Sequence, residues 1–218
     1  MEAEFWRERW KENQIGFHQA DFHPALAAYW HRLGVAKGKK VFVPLCGKSL
    51  DMLWLLGQGY LVEGIELSEL ALNAFFVENK IACVKTQSGE FVRCVADQLE
   101  LLCGDFFKLT PDQFADVAAM YDRASLIALP QEMRRAYAAH LTCLALPSTR
   151  LMLVTLSYPQ EQMSGPPFSV QETEVRGLYG EHWDIQLLDS QEVLAQNKRF
   201  QQQGITTLQE TIYQLQRK

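Results

Sequence analysis

The stretch Val41-Phe42-Val43-Pro44-Leu45-Cys46-Gly47-Lys48-Ser49-Leu50-Asp51 constrains this chain more than any other. A short apolar run ends in Pro-Leu-Cys-Gly. A helix-compatible run over 49–58 follows at once, and a second apolar run over 60–65 ends at Glu66. Strand, glycine turn, helix, strand and terminal acid make half of a nucleoside-cofactor site in an open α/β sheet. A glycine at 47 lets a ligand approach the backbone, and a carboxylate at Glu66 can accept hydrogen bonds from a ribose diol.

Three cofactors compete for such a site. Gly47-Lys48-Ser49 looks like the end of a P-loop, but the glycine required five positions earlier is Phe42, and Pro44 removes an amide from any phosphate nest. NAD calls for GxGxxG, and this turn offers one glycine. S-adenosylmethionine has no phosphates, so a turn with fewer glycines suffices, and it is the favoured reading. An incidental strand–turn–helix is the structural alternative.

Composition narrows the class. A chain of 218 residues, 48% hydrophobic, suits one compact domain burying about 70% of its extended-chain surface. The formal net charge of -5 and the lack of a basic tract argue against nucleic acid as a partner. No apolar run reaches the roughly 18 residues of a membrane span, and the N-terminus does not read as a signal peptide. Cys46, Cys83, Cys94, Cys103 and Cys143 are scattered, odd in number and without CxxC, which fits reduced thiols and a cytoplasmic location.

Along the chain, residues 4–12 read as an amphipathic helix with Phe5, Trp6 and Trp10 on adjoining turns. Those indoles either lid the core or wall a cofactor. A helix over 24–33 starts at His23-Pro24, and His18 lies in the loop before it, a position more often structural than catalytic. Ser68 caps a helix over 69–80. Residues 83–85 and 91–93 form a small inserted hairpin. A third strand, 99–103, leads to Gly104-Asp105, where an acid meets an adenine amino group or simply faces solvent. A fourth, 116–121, leads to Asp122-Arg123, outside a strand end where open sheets keep ligands. A helix over 130–144, a strand over 150–157 covered on both faces, a stiff Gly165-Pro166-Pro167-Phe168-Ser169 loop and a helix over 171–179 follow. Strands 183–188 and 207–214 flank a helix over 192–203. The expectation is an α/β fold with a seven-stranded sheet.

Trp6-Arg7-Glu8-Arg9-Trp10, Gly16-Phe17-His18-Gln19, Val43-Pro44-Leu45-Cys46-Gly47-Lys48-Ser49, Gly64-Ile65-Glu66-Leu67-Ser68-Glu69, Tyr121-Asp122-Arg123 and Gly165-Pro166-Pro167-Phe168 together resemble the thiopurine S-methyltransferases of the bacterial type, from about residue 4 to the C-terminus. The resemblance implies a class I S-adenosylmethionine-dependent methyltransferase fold with a mixed, twisted seven-stranded sheet flanked by helices. It implies a single domain over 1–218, with 1–33 as a helical lid and 83–93 as the inserted hairpin. It also implies S-adenosyl-L-methionine as methyl donor, aromatic and heterocyclic thiols as acceptors, a monomer without metal, and a link to selenium and tellurium oxyanion resistance.

Carried over residue by residue, the resemblance places Trp6, Trp10, Leu45, Gly47, Glu66, Gly104, Asp105 and Arg123 at the cofactor. Phe17, Arg123 and Arg199 fall on the acceptor side. Vertebrate members carry other residues at 104, 105 and 107. The two arginines are candidates for stabilising an anionic acceptor, and no covalent nucleophile is required. A phosphotransferase using Lys48, Ser49 and Asp122 with magnesium, and a non-enzymatic adaptor, are the competing readings.

Overall fold

The structure is a computed structural model and describes residues 3–218. The chain divides into two compact units, one ending at Tyr121 and the other running Asp122–Lys218. In chain order the first unit holds α1 (Ala3–Lys11), α2 (Pro24–Tyr29), β1 (Lys40–Val43), α3 (Asp51–Gly57), β2 (Leu61–Glu66), α4 (Glu69–Glu78), β3 (Val84–Ser88), β4 (Phe91–Ala96), β5 (Leu99–Cys103) and most of β6 (Val117–Arg123).

Its strand order is β3-β4-β5-β2-β1-β6. β5, β2, β1 and β6 run parallel, while β3 and β4 are antiparallel additions, so the sheet is mixed. β1 carries Val41, Phe42 and Val43 buried, as expected of a central parallel strand. Phe42 meets Phe114 with ring centroids 4.6 Å apart. Trp30 stands edge-on to both Tyr60 and Tyr121. Lys40 opens β1 with Nζ 3.0 Å from Glu63 and 2.9 Å from Asp116, which holds its charge where burial alone would disfavour it.

Nine strands occur among the described residues, not seven. The surplus is the predicted hairpin. It joins the sheet, because β4 pairs antiparallel with β5 from Val92↔Cys103 to Ala96↔Leu99. β5 would otherwise present a row of open backbone groups. The edge passes to β3, whose five residues are all exposed and which carries Lys85.

The second unit contains α5 (Gln131–Leu144), β7 (Arg150–Ser157), α6 (Glu172–Tyr179), β8 (Trp183–Glu192), α7 (Lys198–Gln202) and β9 (Gln209–Arg217). β9 lies between β7 and β8, antiparallel to both. Arg134 of α5 is buried and forks onto both oxygens of Glu174 at 2.7 and 3.0 Å, with the Leu129 carbonyl as third acceptor. Trp183 Nε1 donates to Thr142 Oγ1 at 2.9 Å, joining β8 to α5.

Two expectations need correction here. β8 runs four residues past 188, crossing a bulge between Leu187 and Asp189 to pair as far as Glu192↔Gln209. The helix expected over 192–203 shrinks to a short 3-10 turn at Leu194–Gln196 and the five-residue α7. Ser169 lies in the loop before α6. Its Oγ accepts from the Tyr158 backbone N–H at 3.0 Å. No helix among the described residues is long and apolar enough to cross a membrane.

Candidate active site

In the first unit, the turn after β1 is built by two left-handed residues, Leu45 (φ 45°) and Gly47 (φ 52°), on either side of Cys46. For Leu45 this conformation is strained, and such strain concentrates at functional sites. The Cys46 N–H donates to the Ile65 carbonyl at 2.9 Å, stitching the turn to β2. A Cβ on Gly64 would stand 3.0 Å from Cys46 Sγ, so the two small residues let turn and strand approach.

Glu66 ends β2, 6% exposed. Its Oε2 accepts from the Gly47 N–H at 3.0 Å and its Oε1 from the Ser68 N–H at 2.8 Å. An ionised carboxylate offers about four acceptor positions. These donors leave part of that acceptor capacity open to a hydroxyl group. Burial pushes the Glu66 pKa up, and the backbone N–H groups of Ser68, Gly47 and Leu67 pull it back. The Glu66 carbonyl accepts from the Gly104 N–H at 3.0 Å, which brings the β5 turn to the same place.

The lid residues gather over this turn. Phe17 lies edge-on to Trp6 at 6.0 Å and to Trp10 at 5.5 Å. Trp10 rests on the glycine itself, since a Cβ added to Gly47 would fall 3.1 Å from Trp10 Cζ2. Trp6, Trp10 and Phe17 are half-buried, keeping aromatic surface available to a ligand. The segment behind them is anchored by Asp51, whose Oδ1 accepts from the His23 N–H at 2.7 Å at the start of α2. Of the expected lid, residues 1 and 2 lie outside the described residues.

The remaining first-unit candidates separate. Gly104 has a structural reason to be glycine, because a Cβ there would run into the Phe91 ring. Phe91, from the hairpin, thus shapes the turn after β5 and was not singled out from sequence. Asp105 is exposed, and its Oδ1 caps the Phe107 N–H at 3.0 Å. Lys48 turns away from any phosphate position, with Nζ 2.7 and 2.8 Å from the two oxygens of Glu78.

In the second unit, Asp122 is fully buried. Its Oδ2 accepts from Tyr137 Oη at 2.7 Å and its Oδ1 from the Leu126 N–H at 3.1 Å. Burial pushes its pKa up to about 6, against these bonds and those to Ser125. Arg123 is half-buried at the end of β6, followed by Ala124 in a left-handed conformation (φ 65°). The Gly165–Phe168 loop is tied beside that turn by the Phe168 N–H, which donates to the Ile127 carbonyl at 2.7 Å. Arg199 is exposed on α7, whose Phe200 packs with Tyr158, Ile205 and Leu208. Among the described residues no group of three or more His, Cys, Asp or Glu is arranged to hold a metal.

A parallel β-α-β core with a one-glycine turn, an acid at the second strand end and aromatics on the turn define a class I methyltransferase. Solved structures agree on the fold. A 1,6-didemethyltoxoflavin-N1-methyltransferase from Burkholderia thailandensis superposes with a TM-score of 0.67 at 18% identity, covering 99% of this chain and 86% of that one. A magnesium protoporphyrin IX methyltransferase from Synechocystis PCC 6803 also gives 0.67, at 15% identity, covering 99% of each.

The family is more specific. The thiopurine S-methyltransferase (TPMT) model matches residues 1–218. The thiopurine S-methyltransferase of Nitrosospira multiformis is 53% identical over 215 residues, 99% of this chain and 98% of that protein. That of Azotobacter vinelandii is 47% identical over the full length of both. The chain belongs to the thiopurine S-methyltransferase family.

Proposed function

We propose that this chain is an S-methyltransferase that takes the methyl group of S-adenosyl-L-methionine to the sulfur of thiopurines and other aromatic or heterocyclic thiols. The products are a thioether and S-adenosylhomocysteine. The observation that carries the reading is the Glu66 carboxylate, held by the Gly47 and Ser68 N–H groups with part of its acceptor capacity left open. Glu66 would hold the ribose hydroxyls, Leu45 and Gly47 would let the nucleoside approach the backbone, and Trp6 and Trp10 would cover it. Gly104 and Asp105 would flank the adenine. S-adenosyl-L-methionine, when bound, supplies an activated methyl group on a sulfonium leaving group.

The chain's own work is positional. Phe17 offers a ring against the acceptor and helps exclude water. An aryl thiol is already acidic, so its thiolate needs charge stabilisation more than a strong base. Arg123 and Arg199 are the groups for that task. The bidentate Lys48–Glu78 pair favours this reading over a phosphotransferase, since the lysine a P-loop requires is already engaged.

The lack of a long apolar helix among the described residues fits a chain working on small molecules in the cytoplasm, and we extend the reading to one domain acting as a monomer without nucleic acid. Methylation of selenium or tellurium oxyanion products would be a side activity of the same site. Incubating the chain with S-adenosyl-L-methionine and 6-mercaptopurine should yield the S-methyl product and S-adenosylhomocysteine in equal amounts. Hydrolysis of ATP in place of methyl transfer would contradict the assignment.

A further inference from the structure

The cysteines look scattered along the sequence, yet strand register gathers four of them. Lys85 pairs with Cys94, and Cys94 pairs with Leu101. Side chains two residues apart share a face. Cys83 therefore lies on the face of Lys85 and Cys94, and Cys103 on the face of Leu101. Glu66 is the direct partner of Cys103. Cys46 reaches this face too, where it meets Gly64, the partner of Leu101. One face of the first unit's sheet thus carries thiols from the outer hairpin to the Glu66 turn.

The outer pair differs from the rest. Cys83 is half-exposed, while Cys94 is 2% exposed. The β3–β4 register, continued one residue past Val84, sets Cys83 opposite Ala96 and diagonal to Cys94 on the same face. Cys83 lies one residue outside the paired span of β3, so its backbone is not pinned by the ladder and can close the last distance to a bond. Lys85 is the cross-strand partner of Cys94 and stands two residues from Cys83, with its Nζ held by Glu69 at 3.1 Å and Asn73 at 2.6 Å. A partly exposed thiol beside a cation is the environment in which cysteines react. Cys103 is engaged elsewhere, with its Sγ 3.9 Å from the Leu67 carbonyl.

We propose that Cys83 and Cys94 form a redox-active dithiol that hydroperoxides oxidise to an intramolecular disulfide. The Cys83 thiolate attacks the peroxide. An S–O bond forms, the O–O bond breaks, and the alkoxide or hydroxide released takes a proton, leaving Cys83 as a sulfenic acid. The Cys94 sulfur then attacks the Cys83 sulfur. The S–S bond forms, the S–O bond breaks, and the Cys94 proton leaves with the hydroxide as water. Two thiols and one hydroperoxide give one disulfide, one alcohol and one water. Burial raises the Cys94 pKa, which suits a thiol that waits for the sulfenic acid and does not meet the oxidant first. The site goes beyond methyl transfer and does not depend on it.

The test uses the full-length Cys143→Ser chain, which removes the exposed thiol that would join two copies. The reduced protein is treated with hydrogen peroxide, quenched by alkylation under denaturing conditions, and mapped by mass spectrometry. The expected result is a Cys83–Cys94 disulfide, loss of alkylation at those two positions alone, and full reversal by dithiothreitol. Cys83→Ser and Cys94→Ala should each abolish it. Circular dichroism verifies folding, and the half-exposed Cys83→Ser serves if the buried change unfolds the chain. Accumulation of Cys83 sulfinic acid with Cys94 still alkylated, or a disulfide joining any other pair, would overturn the proposal.

Discussion

Glu66 and Asp122 are both buried carboxylates in the last residues of a parallel strand, yet they are wired differently. The Glu66 oxygens meet backbone N–H groups only, Gly47 at 3.0 Å and Ser68 at 2.8 Å, with Leu67 adding to them. The Asp122 oxygens are taken up by Tyr137 and Leu126, with Ser125 adding further bonds, at a site with no exposed surface. Glu66 is built to receive something. Asp122 is built to hold its own turn, on which Arg123 is mounted. Two acids at strand ends therefore separate into a proposed ligand contact, held by backbone N–H groups alone, and an internal brace, held also by a buried tyrosine hydroxyl.

The sharpest way to break that comparison is to remove the brace. Asp122→Ala strands a buried tyrosine hydroxyl and a buried N–H, each costing roughly 1–3 kcal/mol. The expected loss in urea unfolding is therefore about 2–6 kcal/mol, and a loss below 1 kcal/mol would mean that Asp122 braces nothing. Its titration gives a second handle. With an ordinary value of 3.8 and a folded value of about 6, the folded state alone keeps the proton between those limits. Its contribution to stability is complete below the lower value and is lost as pH rises through the higher, by about 3 kcal/mol. Asp122→Asn should remove that slope. Parallel pH profiles of wild type and mutant would contradict the assignment.

On the other side, Glu66→Ala should leave the fold intact and weaken S-adenosylhomocysteine by about 1.5–3 kcal/mol, the scale of hydrogen bonds to a charged group. Calorimetry on the folded mutant measures it, and an unchanged dissociation constant would make Glu66 a second brace. Smaller again, Arg199→Ala should lower kcat/KM for a thiolate acceptor about tenfold, near 1.4 kcal/mol, with cofactor affinity unchanged. Arg123→Ala should have a lesser effect on kcat/KM and also alter cofactor affinity. Steady-state kinetics with two aryl thiols of different acidity would show it. An Arg199→Ala defect confined to cofactor binding would remove Arg199 from the acceptor side.

Much of the first site was legible in the sequence because its parts are local. The apolar run into Gly47, the helix behind it and Glu66 at the next strand end all lie within one β-α-β unit. The N-terminal helix was readable from Trp6 and Trp10 at helical spacing. What escaped depends on distant pairing. The hairpin was visible, but its joining to β5 is a register between separate segments. Asp189 to Gln191 fall outside the expected strand and Glu192 starts the expected helix, yet all four extend β8 because β9 offers partners. Asp122 read as a ligand-side charge because Tyr137, its strongest partner, sits on the following helix. The close approach of Phe91 to Gly104, which leaves no room for a side chain there, also depends on distant pairing.

The most direct measurement is a pair of calorimetric titrations on the wild-type chain, one with S-adenosylhomocysteine and one with ATP and magnesium. A Glu66 carboxylate with open acceptor positions and a Lys48 committed to Glu78 predict saturable one-site binding of S-adenosylhomocysteine and no saturable heat from ATP. Saturable ATP–magnesium binding without any for S-adenosylhomocysteine would contradict the cofactor assignment on which the site rests.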